Sequence, residues 1–264
     1  MTNPTERGGT RLLQWIQQQA GVSRRKAAEL IAQGEVSLNG RPAADPFLLL
    51  SPETAHRLTL RGQPLPLERP EWRIYRFHKP AGMLCSHDDP FSGNTLGRLL
   101  RAEGFIGYAW VGRLDLDAEG LLLLSNDGEF IQAFTHPRYE VEKTYHVWFR
   151  PLPRTEELER MVAAMRMGIE DDGELLRIRS GRVAGRPPYL VLTLVEGRKH
   201  EIKRLLARFN LSVERLVRVS IGGVELGSLR PGALERIPDA AARTLFDDAR
   251  AALQGGGGRG NPLL

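Results

Sequence analysis

Asp115 is the acid of this chain whose neighbours best suit it to chemistry. It lies in Gly112-Arg113-Leu114-Asp115, ahead of the apolar run Leu121–Leu124 and the turn Asn126-Asp127-Gly128. That order predicts a polar loop between two strands, where a side chain reaches substrate while the sheet holds it still. A carboxylate so held is a candidate nucleophile or proton acceptor. Taken alone, a loop aspartate before an apolar strand also reads as a turn former or cap. Asp117 and Glu119 are rival acids in the same loop. Asp115 and Asp117 do not read as a glycosidase pair, which needs opposed carboxyls roughly 5–10 Å apart. Tyr145 alone reads as a strand core residue, and Lys203 alone as a solvated helix lysine.

The elements that must position these residues fall into two groups. Leu12, Leu13, Ile16 and Ala20 recur at helical spacing, which predicts a helix over about 10–20. Ser23 can cap a second helix from Arg24 to Gln33, with Gly34 as its stop. Asn39-Gly40 signals a hairpin turn. Residues 10–61 therefore form a small domain. Gly62, Pro64, Pro66 and Pro70 mark a linker over 62–72. A larger domain is expected over 73–253. Its strand candidates are 73–78, 108–114, 120–125, 141–149, 174–181, 189–196 and 213–225. Its helix candidates are 94–102, 128–135, 154–167, 199–209 and 239–253. Strands outnumber helices without alternating strictly. The fold class is α+β, with a mixed, mainly antiparallel sheet flanked by helices. Residues 1–9 read as a frayed start and 254–264 as a disordered tail.

Composition narrows the function classes. The 264 residues are 41% hydrophobic and 26% charged, ordinary for a globular protein. Apolar runs such as Phe47–Leu50 and Leu121–Leu124 are too short to span a bilayer. No secretory signal is visible, and the single cysteine, Cys85, fits a reducing compartment. A cytoplasmic protein without membrane contact is expected. One cysteine excludes an internal disulfide and a cysteine zinc cluster, and the six histidines show no metal spacing. No glycine-rich phosphate loop follows a strand, so neither a metal nor an organic cofactor is expected. The net charge is +5. Residues 198–218 alone carry seven basic and two acidic side chains. Such a run is either a solvated face or a nucleic-acid surface.

Two resemblances carry the reading further. Gly21-Val22-Ser23-Arg24-Arg25-Lys26 with Gly34-Glu35-Val36-Ser37-Leu38-Asn39-Gly40-Arg41 resembles an S4-like RNA-binding domain. Arg24, Arg25 and Lys26 cluster at a helix start, where backbone N–H groups also favour phosphate. Residues 73–230 resemble the catalytic domain of the RNA pseudouridine synthases, in the RsuA/RluB-type branch acting on ribosomal RNA. Four stretches carry that likeness: Lys79-Pro80-Ala81-Gly82, the Asp115 loop through Gly128, Glu142-Lys143-Thr144-Tyr145-His146-Val147, and Glu196–Arg204 with Arg215–Arg218. Ala118 stands where the branch usually has Thr or Ser, and Glu201 where it usually has Gln.

The resemblance implies an isomerase with the pseudouridine synthase fold. Such an enzyme cleaves the N1–C1′ bond of a uridine and rejoins the base through C5. It assigns Asp115 as the catalytic acid, Lys203 as the cation beside it, and Tyr145 as the aromatic against the target base. RNA contacts fall to Arg24, Arg25, Lys26, Arg113, Arg198, Arg204 and Arg208. The implied partner is ribosomal RNA or an assembly intermediate, with large-subunit (23S) RNA favoured over 16S and a monomer expected. The competing reading is a non-catalytic RNA-binding or ribosome-assembly factor. A nucleoside hydrolase is a third, and would release free uracil.

Overall fold

In a computed structural model, residues 10–51, 57–68 and 71–254 are described. The expected frayed start, His56 and residues 255–264 of the expected tail lie outside them. The chain forms two compact units.

The first unit takes the chain up to Trp72, with Ser86–Tyr108 added. It begins with β1 (Thr10–Arg11), α1 (Leu12–Ala20) and α2 (Arg24–Ala32). There follow β2 (Val36–Leu38), β3 (Arg41–Pro42), β4 (Leu49–Leu50), β5 (Leu58–Leu60) and β6 (Gln63–Leu65). Ser23 caps α2 by accepting from Lys26 N at 3.1 Å. Asn39 and Gly40, both at positive φ, turn β2 into β3. Leu12, Ile16, Ala27, Ile31, Val36 and Leu58 make the core, the apolar stripes of both helices meeting the small sheet. The expected linker is partly sheet. Gln63–Leu65 pairs with β5 as an edge strand, where Pro64 needs no N–H.

The second unit comprises Arg73–Cys85 and the chain from Ala109 onward. Between its two parts runs α3 (Leu96–Ala102), which belongs to the first unit. Residues 86–108, inside the domain expected over 73–253, group with the first unit. One close approach lies there: a Cβ on Gly107 would be 2.4 Å from the Gln18 carbonyl oxygen of α1.

The second unit holds β7 (Ile74–Lys79), β8 (Ala109–Trp110), β9 (Glu119–Ser125), α4 (Gly128–Thr135), β10 (Lys143–Arg150) and α5 (Thr155–Met167). After these come β11 (Ile169–Asp171), β12 (Glu174–Leu176), β13 (Ser180–Ala184), β14 (Tyr189–Leu194) and α6 (Glu201–Ala207). The last elements are β15 (Ser212–Ile221), β16 (Val224–Glu225), β17 (Leu234–Arg236) and α7 (Asp239–Gln254). Nine strands form one sheet along the order β13-β14-β10-β15-β9-β7-β17, with β16 on β15 and β8 on β9. Only β15 and β9 run parallel; the sheet is mixed and mainly antiparallel, as the sequence implies. The expected strand 108–114 shrinks to two residues, because Gly112 at φ 65° turns the chain into the Asp115 loop. The expected strand 174–181 divides, its start pairing with β11 and its end with β14.

One register row organises the unit. Leu192, Tyr145, Arg218, Gly120 and Lys79 are successive partners across β14, β10, β15, β9 and β7. Partners in a row share a face of the sheet. The row crosses β9 at the residue after Glu119, where the Asp115 loop enters the sheet. Gly120 is required there: its φ is +114°, and a Cβ would lie 2.3 Å from the Arg218 carbonyl oxygen. Gly120→Ala should therefore lower stability by at least about 2 kcal/mol, seen as a drop of several degrees in a thermal melt. An unchanged melting temperature would contradict this account of the row.

Candidate active site

The Asp115 loop is held by buried cations. Lys79 is fully buried, and its ammonium donates to three carbonyl oxygens: Ala118 at 2.7 Å, Pro80 at 2.9 Å and Leu116 at 3.4 Å. Gly82 N donates to Leu116 O at 2.7 Å, and Ala118 N to Asp115 O at 3.2 Å. Arg218, 1% exposed, donates from Nε to Leu121 O at 2.8 Å and from Nη1 to Arg113 O at 3.4 Å. Thus Lys79 grips the middle of the loop and Arg218 its two ends. Leu114 N adds a contact to Cys85 Sγ at 3.4 Å. Burial pushes the Lys79 ammonium below its ordinary range, while Cys85, Asp117, Asp115 and Glu119 pull it back.

The apolar residues Ile202, Leu205 and Leu206 bury one side of α6 and leave Lys203 on its open side. Lys203 Nζ lies 3.5 Å from Asp115 Oδ2. It donates to both oxygens of Asp117, at 2.6 and 2.8 Å. Those bonds hold the Asp117 carboxyl below the usual range. His200 Nε2 stands 3.6 Å from Asp115 Oδ1, on the other side of that carboxylate. Glu119 is taken by Arg215 at 2.5 Å. The structure therefore brings Asp115 and Lys203 together, and adds Asp117 as the nearer partner of Lys203. Glu201 is no stray surface charge. It is 5% exposed, accepts from Arg198 N at 3.0 Å, and burial raises its carboxyl.

Tyr145 lies in the register row, 8% exposed, on the strand beside β15. It is two strands from Gly120, about 10 Å at the usual strand spacing. Lys143, two residues earlier, shares its buried face. Its ammonium donates to Val141 O at 2.8 Å and is lowered to about 8, mainly by burial and then by Arg218.

The expected RNA-contact residues divide. Arg113, Arg24 and Arg208 are exposed. Arg25 and Lys26 are exposed and pair with Glu29 at 3.1 and 3.4 Å. Arg198 pairs with Glu196 at 3.0 Å. Arg204 is engaged within the fold, at 2.6 Å from both Asp171 and Glu174 and 2.9 Å from Asp171 O. The last residue of β11 and the first of β12, paired across their hairpin, provide both acids, which lie far from Arg204 in the chain. Sequence reasoning weighed Asp117 only as a rival acid, and quoted Lys79, His200 and Arg218 in motifs without giving them a site role. The signal for Lys79 and Arg218 was present, since each is a charge within or ending an apolar strand. Among the described residues no three His, Cys, Asp or Glu side chains cluster as metal ligands.

Residues 73–208 match the family model described as RNA pseudouridylate synthase. The chain belongs to the RNA pseudouridine synthase family. Residues 10–54 of this synthase match the S4 domain. An RNA pseudouridine synthase of Aquifex aeolicus is 35% identical over 86% of the chain and 90% of its own length. The ribosomal small subunit pseudouridine synthase A of Escherichia coli is 33% identical over 84% and 94%. A crystal structure of a pseudouridylate synthase superposes with a TM-score of 0.55 at 28% identity, covering 89% of this chain and 99% of that one.

The low Lys143 value has a measurable consequence for the synthase. Between about pH 8 and its ordinary 10.5, the folded side chain has lost its proton and the unfolded one keeps it. The unfolded state then binds more protons, so folding stability attributable to Lys143 rises with pH across that window. Compared with Lys143→Met by urea unfolding at pH 7.5 and 10, the wild type should gain on the variant at the higher pH. A pH-independent difference would contradict the assignment.

Proposed function

We propose that this synthase isomerises a uridine of ribosomal RNA with Asp115 as the catalytic carboxylate, Lys203 as its counter-charge and Tyr145 as the aromatic wall for the extruded base. The observation that carries the reading is the 3.5 Å approach of Lys203 Nζ to Asp115 Oδ2 on a loop gripped by Lys79 and Arg218. The reaction breaks N1–C1′ and forms C5–C1′. A proton leaves C5 and one is gained at N1, so nothing is lost. The carboxylate serves either by attacking C1′ or by taking a sugar proton, and both routes need it ionised. RNA closing over the site removes water, which disfavours the charged acid. The adjacent ammonium offsets that cost. A base out of its stack loses its neighbours, and a tyrosine face replaces one of them.

The S4 match and the ribosomal relatives support an rRNA partner. Arg24, Arg25 and Lys26 at the start of α2 supply charge for phosphate, and Arg113 and Arg208 supply it in the second unit. The sequence reading favoured the large subunit. The relatives from Vibrio vulnificus and Escherichia coli that name a subunit name the small one. The proposal therefore covers rRNA of either subunit, acted on by a cytoplasmic monomer.

Asp115→Asn keeps the size of the side chain and removes its charge. Pseudouridine formation should fall by more than about 1,000-fold, with RNA affinity intact by filter binding. Undiminished modification would refute the assignment. Pseudouridine mapping in 16S and 23S rRNA, from cells with and without the protein, should show one site lost. No change in either RNA would favour the non-catalytic assembly factor, and released uracil would favour the hydrolase.

A further inference from the structure

Lys203 has two carboxylates within reach and bonds only one. Both oxygens of Asp117 accept from its ammonium, at 2.6 and 2.8 Å, whereas Asp115 stands at 3.5 Å. Asp117 is also the more open acid, 69% exposed against 33% for Asp115. An exposed surface pair of this kind contributes little to stability. Its geometric effect is larger. A lysine has a long, flexible stem, and two hydrogen bonds to one carboxylate fix where its charge sits.

We propose that Asp117 is a positioning residue for the isomerisation: it accepts two of the three hydrogens of Lys203 and so fixes the ammonium beside Asp115, where it acts as a nearby charge. The inference rests on the roles given to Asp115 and Lys203 above. Its chemical content is a division of labour between two acids two residues apart. A carboxylate that accepts a direct bond from an ammonium has lone pairs engaged and is a weaker nucleophile and base. One that only feels the charge stays ionised with its lone pairs turned to substrate. The loop makes this possible. Lys79 bonds the carbonyls of Leu116 and Ala118 on either side of Asp117, so the loop does not drift as the pair forms. The other charges facing the site do not substitute for Asp117. His200 approaches the far oxygen of Asp115, Glu119 is held by Arg215, and the Lys79 ammonium is spent on carbonyls.

The test compares wild type, Asp117→Asn, Asp117→Glu and Asp115→Asn on whichever unmodified rRNA or ribosomal particle the wild type converts. In Asp117→Asn, Lys203 turns to Asp115. The expected result is a kcat lower by about 10- to 100-fold, KM within about twofold of wild type, and an unchanged thermal melt. Asp117→Glu keeps the charge and both acceptors and should recover most of the rate. Wild-type kcat in Asp117→Asn, a loss confined to KM, or equal losses in the Asn and Glu variants would each overturn the proposal. Asp115→Asn separates the two levels. If it is inactive while Asp117→Asn behaves as wild type, only this inference fails. If Asp115→Asn is fully active, the catalytic reading itself fails.

Discussion

The site depends on two buried cations that form no direct ion pair among the described residues. Lys79 and Arg218 instead direct their N–H groups at backbone oxygens of residues 113–121, the loop that carries Asp115. Burying a charge is costly unless hydrogen bonds replace the lost water. Here the loop carbonyls replace most of it, Arg218 Nη2 alone being left without a partner on that side chain, and the loop gains fixed shape in return. The dependence runs both ways: a loop that came away would strand two charges in the interior. That coupling explains how a short polar connection keeps a definite form without a regular ladder of its own.

The sheet supplies the rest of the geometry through one row of residues. Lys79, Gly120, Arg218 and Tyr145 are neighbours because four strands are in register, although they span much of the second unit's sequence. The parallel junction of β15 with β9 is the joint on which this row turns. It accepts only glycine at position 120, since the backbone of β15 occupies the space of a side chain. Asp115 and Lys203 come from a loop and a helix joined to these two strands. Side chains held on or beside a sheet in this way are suited to precise placement.

Much of this was legible in the sequence. The turn residues, the cap at Ser23, the amphipathic helices and the apolar β9 run all read correctly, because their signals are local. The likeness to the synthases pointed to the Asp115 loop and to α6 as places that meet. The missed features were non-local. That Lys203 bonds Asp117 more closely than Asp115 depends on loop shape, and both acids look alike in the chain. Arg204 looked like an RNA contact because the basic run around it is visible and its acidic partners, Asp171 and Glu174, are some thirty residues away. Pro64 looked like linker because its edge position in a sheet is a tertiary fact. Residues 86–108 gave no local sign that they pack with the first unit.

The central claim is that Asp115, and no other acid, stands at the anomeric carbon of an extruded uridine. It is tested most directly by a structure of the protein bound to an rRNA fragment that contains the nucleotide it modifies. The account predicts that uridine turned out of its stack, an Asp115 carboxylate oxygen within about 3.5 Å of C1′, and the base ring against Tyr145. A target nucleotide facing Asp117 or another acid, with Asp115 turned to solvent, would contradict it.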